Sequence, residues 1–453
     1  MVKVSYRMNK FRDKMPEKQI IRGDEQGVGP VNGSTQWVGD LKRARKSGPS
    51  LSSSELHSEQ LQKGYGLSTK SIHSGTMQDG RTGAVGTPIY QASTFILGEE
   101  QYKSFDEGYA RDRFIYTRYG NPSQWAVQDK LAALENAESA VVFSSGMAAI
   151  TSTLLSLLDM GGHVVTSNEI YGGTYALFSN ELPNMGMSAN HVNPRDLAEV
   201  EAAITPNTQV LFFEVLTNPL LKVIDIEGMV AIAKRHGLRV VIDSTFATPI
   251  IVNPLDLGVD VVVHSATKYL NGHSDLVAGV AMGSRKLLDQ IWGRMLAYGG
   301  CLDPHCCFLL ERGLKTLALR MNAHAEGAMQ LAKYLGAHSQ VNQVYYPHLS
   351  SHPDYKLAKK QMRSGGGMVT FEVKGGDEAA LRLLDRLRLP AQATSLGGVE
   401  SLISLPHNTS QAGFTRKQRK QMGINPGMVR LSVGVEDPVD LIADFEQALK
   451  TNH

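Results

Sequence analysis

The chain has 453 residues, 42% of them hydrophobic and 20% charged, with a formal net charge of +2. These values are ordinary for a globular protein of two or three domains, and so small a charge gives no basic field that would argue for a nucleic-acid partner. The three cysteines, Cys301, Cys306 and Cys307, stand in one short stretch, too few and too close for a disulfide framework; a reducing, cytoplasmic setting is expected, and no metal site, because no second ligand cluster accompanies them.

Residues 1–65 read as an extension. They carry a basic cluster, KRARK, followed by a Gly/Pro/Ser stretch, and their apolar content is too sparse for a core. They lack the apolar centre of a secretory signal, and Asp13, Glu17, Asp24 and Glu25 weigh against a transit peptide. A partly disordered segment is expected, with Ile20-Ile21 and Trp37 able to anchor it as an arm. No apolar run reaches about 18 residues, so no membrane span is expected.

From residue 66 the pattern changes. STKSIHSG (68–75) and GAVGTPIYQASTF (83–95) belong to an N-terminal arm over 66–122. Near its end, in FIYTRYGNPS, Tyr116 and Arg118 alternate, so in an extended segment both point to one side. A phenol beside a guanidinium makes a phosphate clamp, with arginine supplying the bidentate geometry. A helix is predicted from Gln124 through LAALENAE. VVFSSGMAAI (141–150) reads as strand, turn and helix. Gly146 lets the backbone approach an anion there, and the amides of Gly146 and Met147 at the helix N-terminus suit a phosphate. HVVTS is another strand. It leads to EIYGGTYALF, where Tyr171 stands beside Gly172-Gly173.

TQVLFFEVLTNP gives a strand and a turn with Asn218. A helix around 228–236 follows, then LRVVID, an apolar strand that ends in Asp243. A buried aspartate alone is costly, so a cationic partner is expected. The run Val261-Val262-Val263 is the next strand, and it feeds HSATKYLNGHSDLVAG. Lys268 sits there between the hydroxyls of Ser265 and Thr267 on one side and Ser274 on the other. In a dry pocket such a lysine loses its proton more readily and its amine becomes nucleophilic, the requirement for a Schiff base. The strand–helix alternation from about 126 to 280 predicts a mostly parallel sheet with helices on both faces and a site at the strand ends. Beyond it, ERGLKTLALRMNAHAEGAMQLAKYLG (311–336) predicts one long helix. GGGMVTFEV, ATSLGGVESLISLPH and GMVRLSVGVEDPVDLIADFEQALK predict a smaller C-terminal α+β domain.

The stretch SATKYLNGHSD resembles the cofactor-lysine signature of the pyridoxal-phosphate enzymes of cysteine and methionine metabolism, the transsulfuration family. The resemblance runs from about Leu67 to the C-terminus. It implies the fold type I architecture of pyridoxal-phosphate-dependent transferases, with boundaries expected at 66–122 for the arm, 123–318 for the cofactor-binding domain and 319–453 for the small domain. It implies pyridoxal 5'-phosphate joined to Lys268, its phosphate held by Gly146, Met147, Ser265 and Thr267 and by Tyr116 and Arg118 of an adjacent subunit. Tyr171 would stack on the ring and act as acid or base, Asn218 would meet the ring hydroxyl, and Asp243 would pair with the ring nitrogen. Ser395 and Arg430 would hold the substrate α-carboxylate. The partners implied are a small amino acid and further copies of the chain, a dimer at least and commonly a tetramer.

Departures from the family bear on substrate. Relatives that use cystathionine carry charged residues where Ile115, Ala176 and Thr394 stand, so a smaller or less polar γ-substituent is expected. Methionine γ-lyases typically have cysteine where Gly173 stands, and relatives commonly have proline at Leu216 and asparagine at Ser244. The expected reaction is γ-elimination on a methionine- or homoserine-type substrate, giving a 2-oxo acid and ammonia. The alternatives are γ-replacement on an O-acylhomoserine and, from another class, a non-catalytic binding scaffold.

Overall fold

Seven strands of this chain line up side by side in the computed structural model, which describes residues 64–99, 102, 111, 113–409 and 415–450. The extension read over 1–65 lies, as far as residue 63, outside the described residues. The strands are β1 (Ser139–Phe143), β2 (His163–Ser167), β3 (Ser188–Val192), β4 (Thr208–Glu214), β5 (Arg239–Asp243), β6 (Val261–Ser265) and β7 (Gly279–Gly283). Their spatial order is β1-β7-β6-β5-β4-β2-β3. Neighbours from β6 through β3 run parallel, and β7 is antiparallel to both β1 and β6. The mostly parallel sheet expected from the sequence is therefore present.

The valine run explains why both faces are covered. Successive strand side chains alternate between faces, and Val261, Val262 and Val263 are all fully buried. Val261 and Val263 join one core with Phe212, Val241 and Ile150, while Val262 joins the other with Phe213, Ile242 and Leu131. Each such side chain contributes about 1.5–3 kcal/mol by leaving water. The helices that supply these layers include α1 (Leu67–His73), α2 (Pro122–Glu135), α3 (Gly146–Leu157), α4 (Ile226–His236), α5 (Arg285–Tyr298) and α6 (Pro304–Leu314). Their starts are fixed locally. The Asn121 side chain accepts from the amide of Ser123 at 2.9 Å ahead of Pro122, and the Ser145 hydroxyl accepts from the amide of Ala148 at 3.0 Å.

The run 311–336 is two helices and not the one expected. The first ends at Leu314, and α7 (Leu317–Ala337) begins after a break at Lys315-Thr316. The carbonyl of Gly313 accepts from the Thr316 amide and hydroxyl and from the Arg320 guanidinium, so it is diverted from the helical ladder. A periodicity count cannot see that diversion.

A second sheet has β8 (Val341–Tyr345), β9 (Met368–Val373), β10 (Ala391–Gln392), β11 (Leu402–Ser404) and β12 (Met428–Ser432) in the order β10-β11-β12-β9-β8. It packs with α7, α8 (Gly376–Arg386) and α9 (Pro438–Leu449) around Leu331, Phe371, Leu431 and Phe445. No helix among the described residues is long and apolar enough to cross a membrane.

Candidate active site

The C-terminal ends of β4, β5 and β6 bring the candidate residues together. Glu214 and Asp243 are register partners at the ends of adjacent parallel strands, so both side chains leave the same face. Asp243 accepts from the amide of Thr245 at 2.9 Å and from its hydroxyl at 2.5 Å. That hydroxyl also accepts from the amide of Ser265 at 2.8 Å, which ties the end of β5 to the start of the Lys268 turn. The Glu214 carboxyl accepts from the amide of Tyr171 at 2.9 Å. No side-chain cation pairs with either carboxyl among the described residues. Burial pushes both groups up. The charge of Asp243 raises Glu214 further, while the Thr245 bonds pull Asp243 back down. Glu214 is therefore the neutral member of the pair and Asp243 the ionised one.

Lys268 projects from the turn after β6, and its amine donates to the Ser395 hydroxyl at 2.5 Å. Burial, aided by the nearby Arg430 charge, lowers its pKa to about 8. Ser395 itself has φ of 87°, a left-handed conformation costly for a residue with a Cβ. Its carbonyl accepts from the Arg430 guanidinium at 3.2 Å, and the other arm of Arg430 donates to the Asn218 side-chain oxygen at 3.2 Å. Arg430 is buried on β12, and burial pushes its pKa down to about 10. Lys268, Ser395, Arg430 and Asn218 thus form one connected cluster across the two sheets.

The other end of the site is a donor cradle. Gly146 lies so close to Ser265 that an added Cβ would stand 2.8 Å from the Ser265 Cβ. The first amides of a helix have no carbonyl of their own helix within reach, so those of Gly146 and Met147 remain available beside the Ser265 hydroxyl. Thr267 is differently engaged: its hydroxyl donates to the carbonyl of Ala278 and accepts from that residue's amide at 3.0 Å. The Tyr171 ring is 49% exposed and lies over Gly173, where an added Cβ would stand 2.6 Å from Cε1. Tyr116 and Arg118 lie on the N-terminal arm, ahead of α2. Arg118 donates to the carbonyl of Leu296 at 2.7 Å and its guanidinium carbon is 5.0 Å from the Tyr119 ring centroid.

Sequence reasoning missed Glu214 and Thr245. Glu214 carried the same signal as Asp243, a carboxylate ending an apolar run, whereas Thr245 had no signal of its own. The three cysteines are free thiols.

The polarity of the site fits one type of group. Anion donors stand at Gly146, Met147 and Ser265, a readily deprotonated amine at Lys268, and a pair of cation-less buried carboxyls at Glu214 and Asp243. A phosphate, an aldehyde and a protonated ring nitrogen on one molecule would match the three in turn. The fold and this site define a pyridoxal-phosphate-dependent enzyme of fold type I. The chain matches the Cys/Met metabolism PLP-dependent enzyme family over residues 68–450, and it belongs to that family. It is 44% identical to an L-methionine gamma-lyase of Fusobacterium nucleatum subsp. nucleatum over 391 residues, which cover 86% of this chain and 99% of the relative. It is also 44% identical to a cystathionine beta-lyase of Coxiella burnetii over 386 residues, covering 84% of this chain and 97% of that one. Among solved structures, a cystathionine gamma-lyase from Lactobacillus plantarum complexed with L-serine superposes with a TM-score of 0.79 at 41% identity, covering 85% of this chain and 98% of the other.

Proposed function

We propose that the protein catalyses γ-elimination on a γ-substituted L-amino acid of the methionine or homoserine type, releasing a 2-oxo acid and ammonia. The observation that carries it is the Lys268–Ser395–Arg430 cluster, which sets an amine of lowered pKa beside a buried guanidinium. The L-methionine gamma-lyase relatives, 40–44% identical over most of the chain, support the same reaction.

Bound in this site, pyridoxal phosphate supplies an electron sink that makes the α-proton of an amino acid acidic. The residues do the rest. Gly146, Met147 and Ser265 would hold the phosphate by their donors, with Thr267 shaping the turn behind them. Tyr116 and Arg118 of a neighbouring copy would complete that clamp, so the working form is a dimer at least, with a tetramer expected from the family. Asp243 would receive the ring nitrogen and Asn218 the ring hydroxyl, while the exposed face of Tyr171 stacks on the ring. Arg430 and Ser395 would bind the substrate α-carboxylate. The Lys268 amine then accepts the α-proton; a further proton leaves the β-carbon, its electron pair forms the β,γ double bond, and the Tyr171 hydroxyl donates a proton to the departing γ-group.

The test incubates purified protein with L-methionine, L-homocysteine, L-cystathionine and O-acetyl-L-homoserine, each with and without sulfide. 2-Oxo acid and ammonia without added nucleophile support γ-elimination, and Lys268→Ala should abolish both along with the visible cofactor band. A new amino acid formed only with sulfide would make the enzyme a γ-replacement catalyst. Pyruvate from cystathionine alone would make it a β-lyase.

A further inference from the structure

One buried cation has no role in the chemistry above. Arg320 lies in the first turn of α7, and its side chain is buried without a carboxylate partner among the described residues. It spends its donors on neutral oxygens. Nη1 donates to the carbonyl of Tyr269 at 2.7 Å, Nη2 to the carbonyls of Gly313 at 2.9 Å and Leu270 at 3.3 Å, and Nε to the Thr316 hydroxyl at 3.1 Å. Tyr269 and Leu270 are the two residues after Lys268. Gly272 closes the same turn through its amide to the carbonyl of Lys268 at 2.8 Å. Gly272 has φ of 75°, and a Cβ there would overlap the guanidinium. A glycine is needed both for the turn and for the close approach.

One helical turn further along the same face stands His324. Its Nδ1 donates to the carbonyl of Val433 at 2.7 Å, just past the end of β12, the strand that carries Arg430. Its ring meets that of Tyr269 edge-on at 5.2 Å. Two adjacent positions on one helix therefore grip the lysine turn and the arginine strand.

We propose that Arg320 and His324 are positioning residues that hold the Lys268 turn and the Arg430 strand at a fixed spacing on α7. The proposal rests on the reading that Lys268 moves the α-proton and Arg430 binds the carboxylate. A buried cation is costly unless something demands its geometry. The planar fork of arginine can reach three carbonyls at once, which a lysine cannot. The observed contacts place four of its five N–H donors on neutral oxygens and use no charge partner among the described residues. Arg320 touches neither substrate nor cofactor atoms; it acts through the turn.

The two residues predict different kinetic signatures. Loosening the lysine turn should lower kcat, since a misplacement of about 1 Å costs about a hundredfold, and leave KM nearly unchanged. Loosening the β12 end should raise KM through Arg430. The experiment compares the full-length parent with Arg320→Met, Arg320→Lys, His324→Leu and His324→Asn. Turnover is measured on the cofactor-loaded proteins, and hydrogen exchange over 266–276 on both loaded and cofactor-free proteins. In Arg320→Met, exchange of that segment should rise by about tenfold or more in the cofactor-free chain while β9 stays protected, and guanidinium ion should restore part of kcat. Arg320→Lys should fall between parent and Met. His324→Leu should raise KM, and His324→Asn, which keeps an N–H donor near the Nδ1 position, should restore it.

Parental exchange and turnover in Arg320→Met would overturn the proposal. So would a uniform rise in exchange across the chain with kcat and KM affected alike. Should Arg320→Met fail to fold, Arg320→Lys decides by the same readouts, and parental behaviour there overturns it. If the parent shows no visible cofactor band, the functional reading fails, while the exchange comparison in cofactor-free protein still decides for or against the grip.

Discussion

Replacing Arg430 should change how Lys268 titrates. Burial is the larger cause of the lowered lysine pKa, about 8 against an ordinary 10.5, and the Arg430 charge is the smaller one. Arg430→Gln removes the repulsion and leaves the burial, so the Lys268 pKa should rise and still stay below 10.5. The pH dependence of Lys268 acylation in cofactor-free protein measures it, and an unmoved midpoint would mean that the Arg430 charge does not act on the lysine. Glu214 supports a second prediction. Glu214→Gln keeps a neutral acceptor for the Tyr171 amide and should retain near-parental kcat/KM at neutral pH. Glu214→Ala leaves that amide unpaired at a cost of about 1–3 kcal/mol, and should weaken cofactor retention and lower kcat/KM. Equal loss in both variants would mean that Glu214 works ionised. Residues of this kind differ in how legible they were. Asp243 and Glu214 end apolar runs, and Lys268 follows one in the turn after β6, so strand ends were readable one by one. Thr245 and Arg320 were not, because their partners are fixed only when distant segments meet.

At the scale of elements, α2 and β6 meet through two polar side chains that the core does not need. Glu135, the last residue of α2, and His264 on β6 are both fully buried, with 3.9 Å between a carboxyl oxygen and Nε2. Burial pushes Glu135 well above the usual carboxylate range and lowers His264 to about 3, so both are neutral in the fold. In the unfolded chain Glu135 ionises above about pH 4.5. At Glu135 the folded state then holds a proton that the unfolded state has lost, and the stability contributed by this group falls as pH rises through that range; the His264 contribution is common to parent and variant and cancels in their comparison. Glu135→Gln has no such proton to hold. Its Tm should therefore exceed that of the parent at pH 7, with the gain shrinking as pH falls toward about 4.5 and gone below it. Tm measured across pH 4–8 checks this, and a gain independent of pH would assign it to packing. The same strand shows what sequence can tell at this scale. Three valines at 261–263 announced a strand covered on both faces, which it is. The run 311–336 announced one helix, and the diverted Gly313 carbonyl made it two. Periodicity reports which side chains are buried, and it is blind to a carbonyl drawn out of the ladder by a residue further on.

At the scale of the whole molecule, the proposed clamp of Tyr116 and Arg118 is a prediction about two copies of the chain. Tyr116 is 41% exposed, and Arg118 is bonded to the end of α5 at Leu296 and packed on Tyr119. The arm that carries them also exposes Val85 at 79% and Ile96 at 86%, apolar surface that a second copy would cover. An isologous dimer exchanges the same segment in both directions, so each site would hold one copy's Lys268 and the other's Tyr116 and Arg118. This arrangement makes a quantitative prediction. Arg118→Ala and Lys268→Ala should each be nearly inactive alone. Co-expressed and mixed at random, half of the dimers would be heterodimers. In each, one site would carry both lesions and the other none. Activity should therefore return to about one quarter of the parental value, with the visible cofactor band restored in proportion. If Arg118 instead serves the Lys268 of its own chain, every site in the mixture carries one lesion and no activity returns, and the shared clamp would be replaced by one closed within a single subunit.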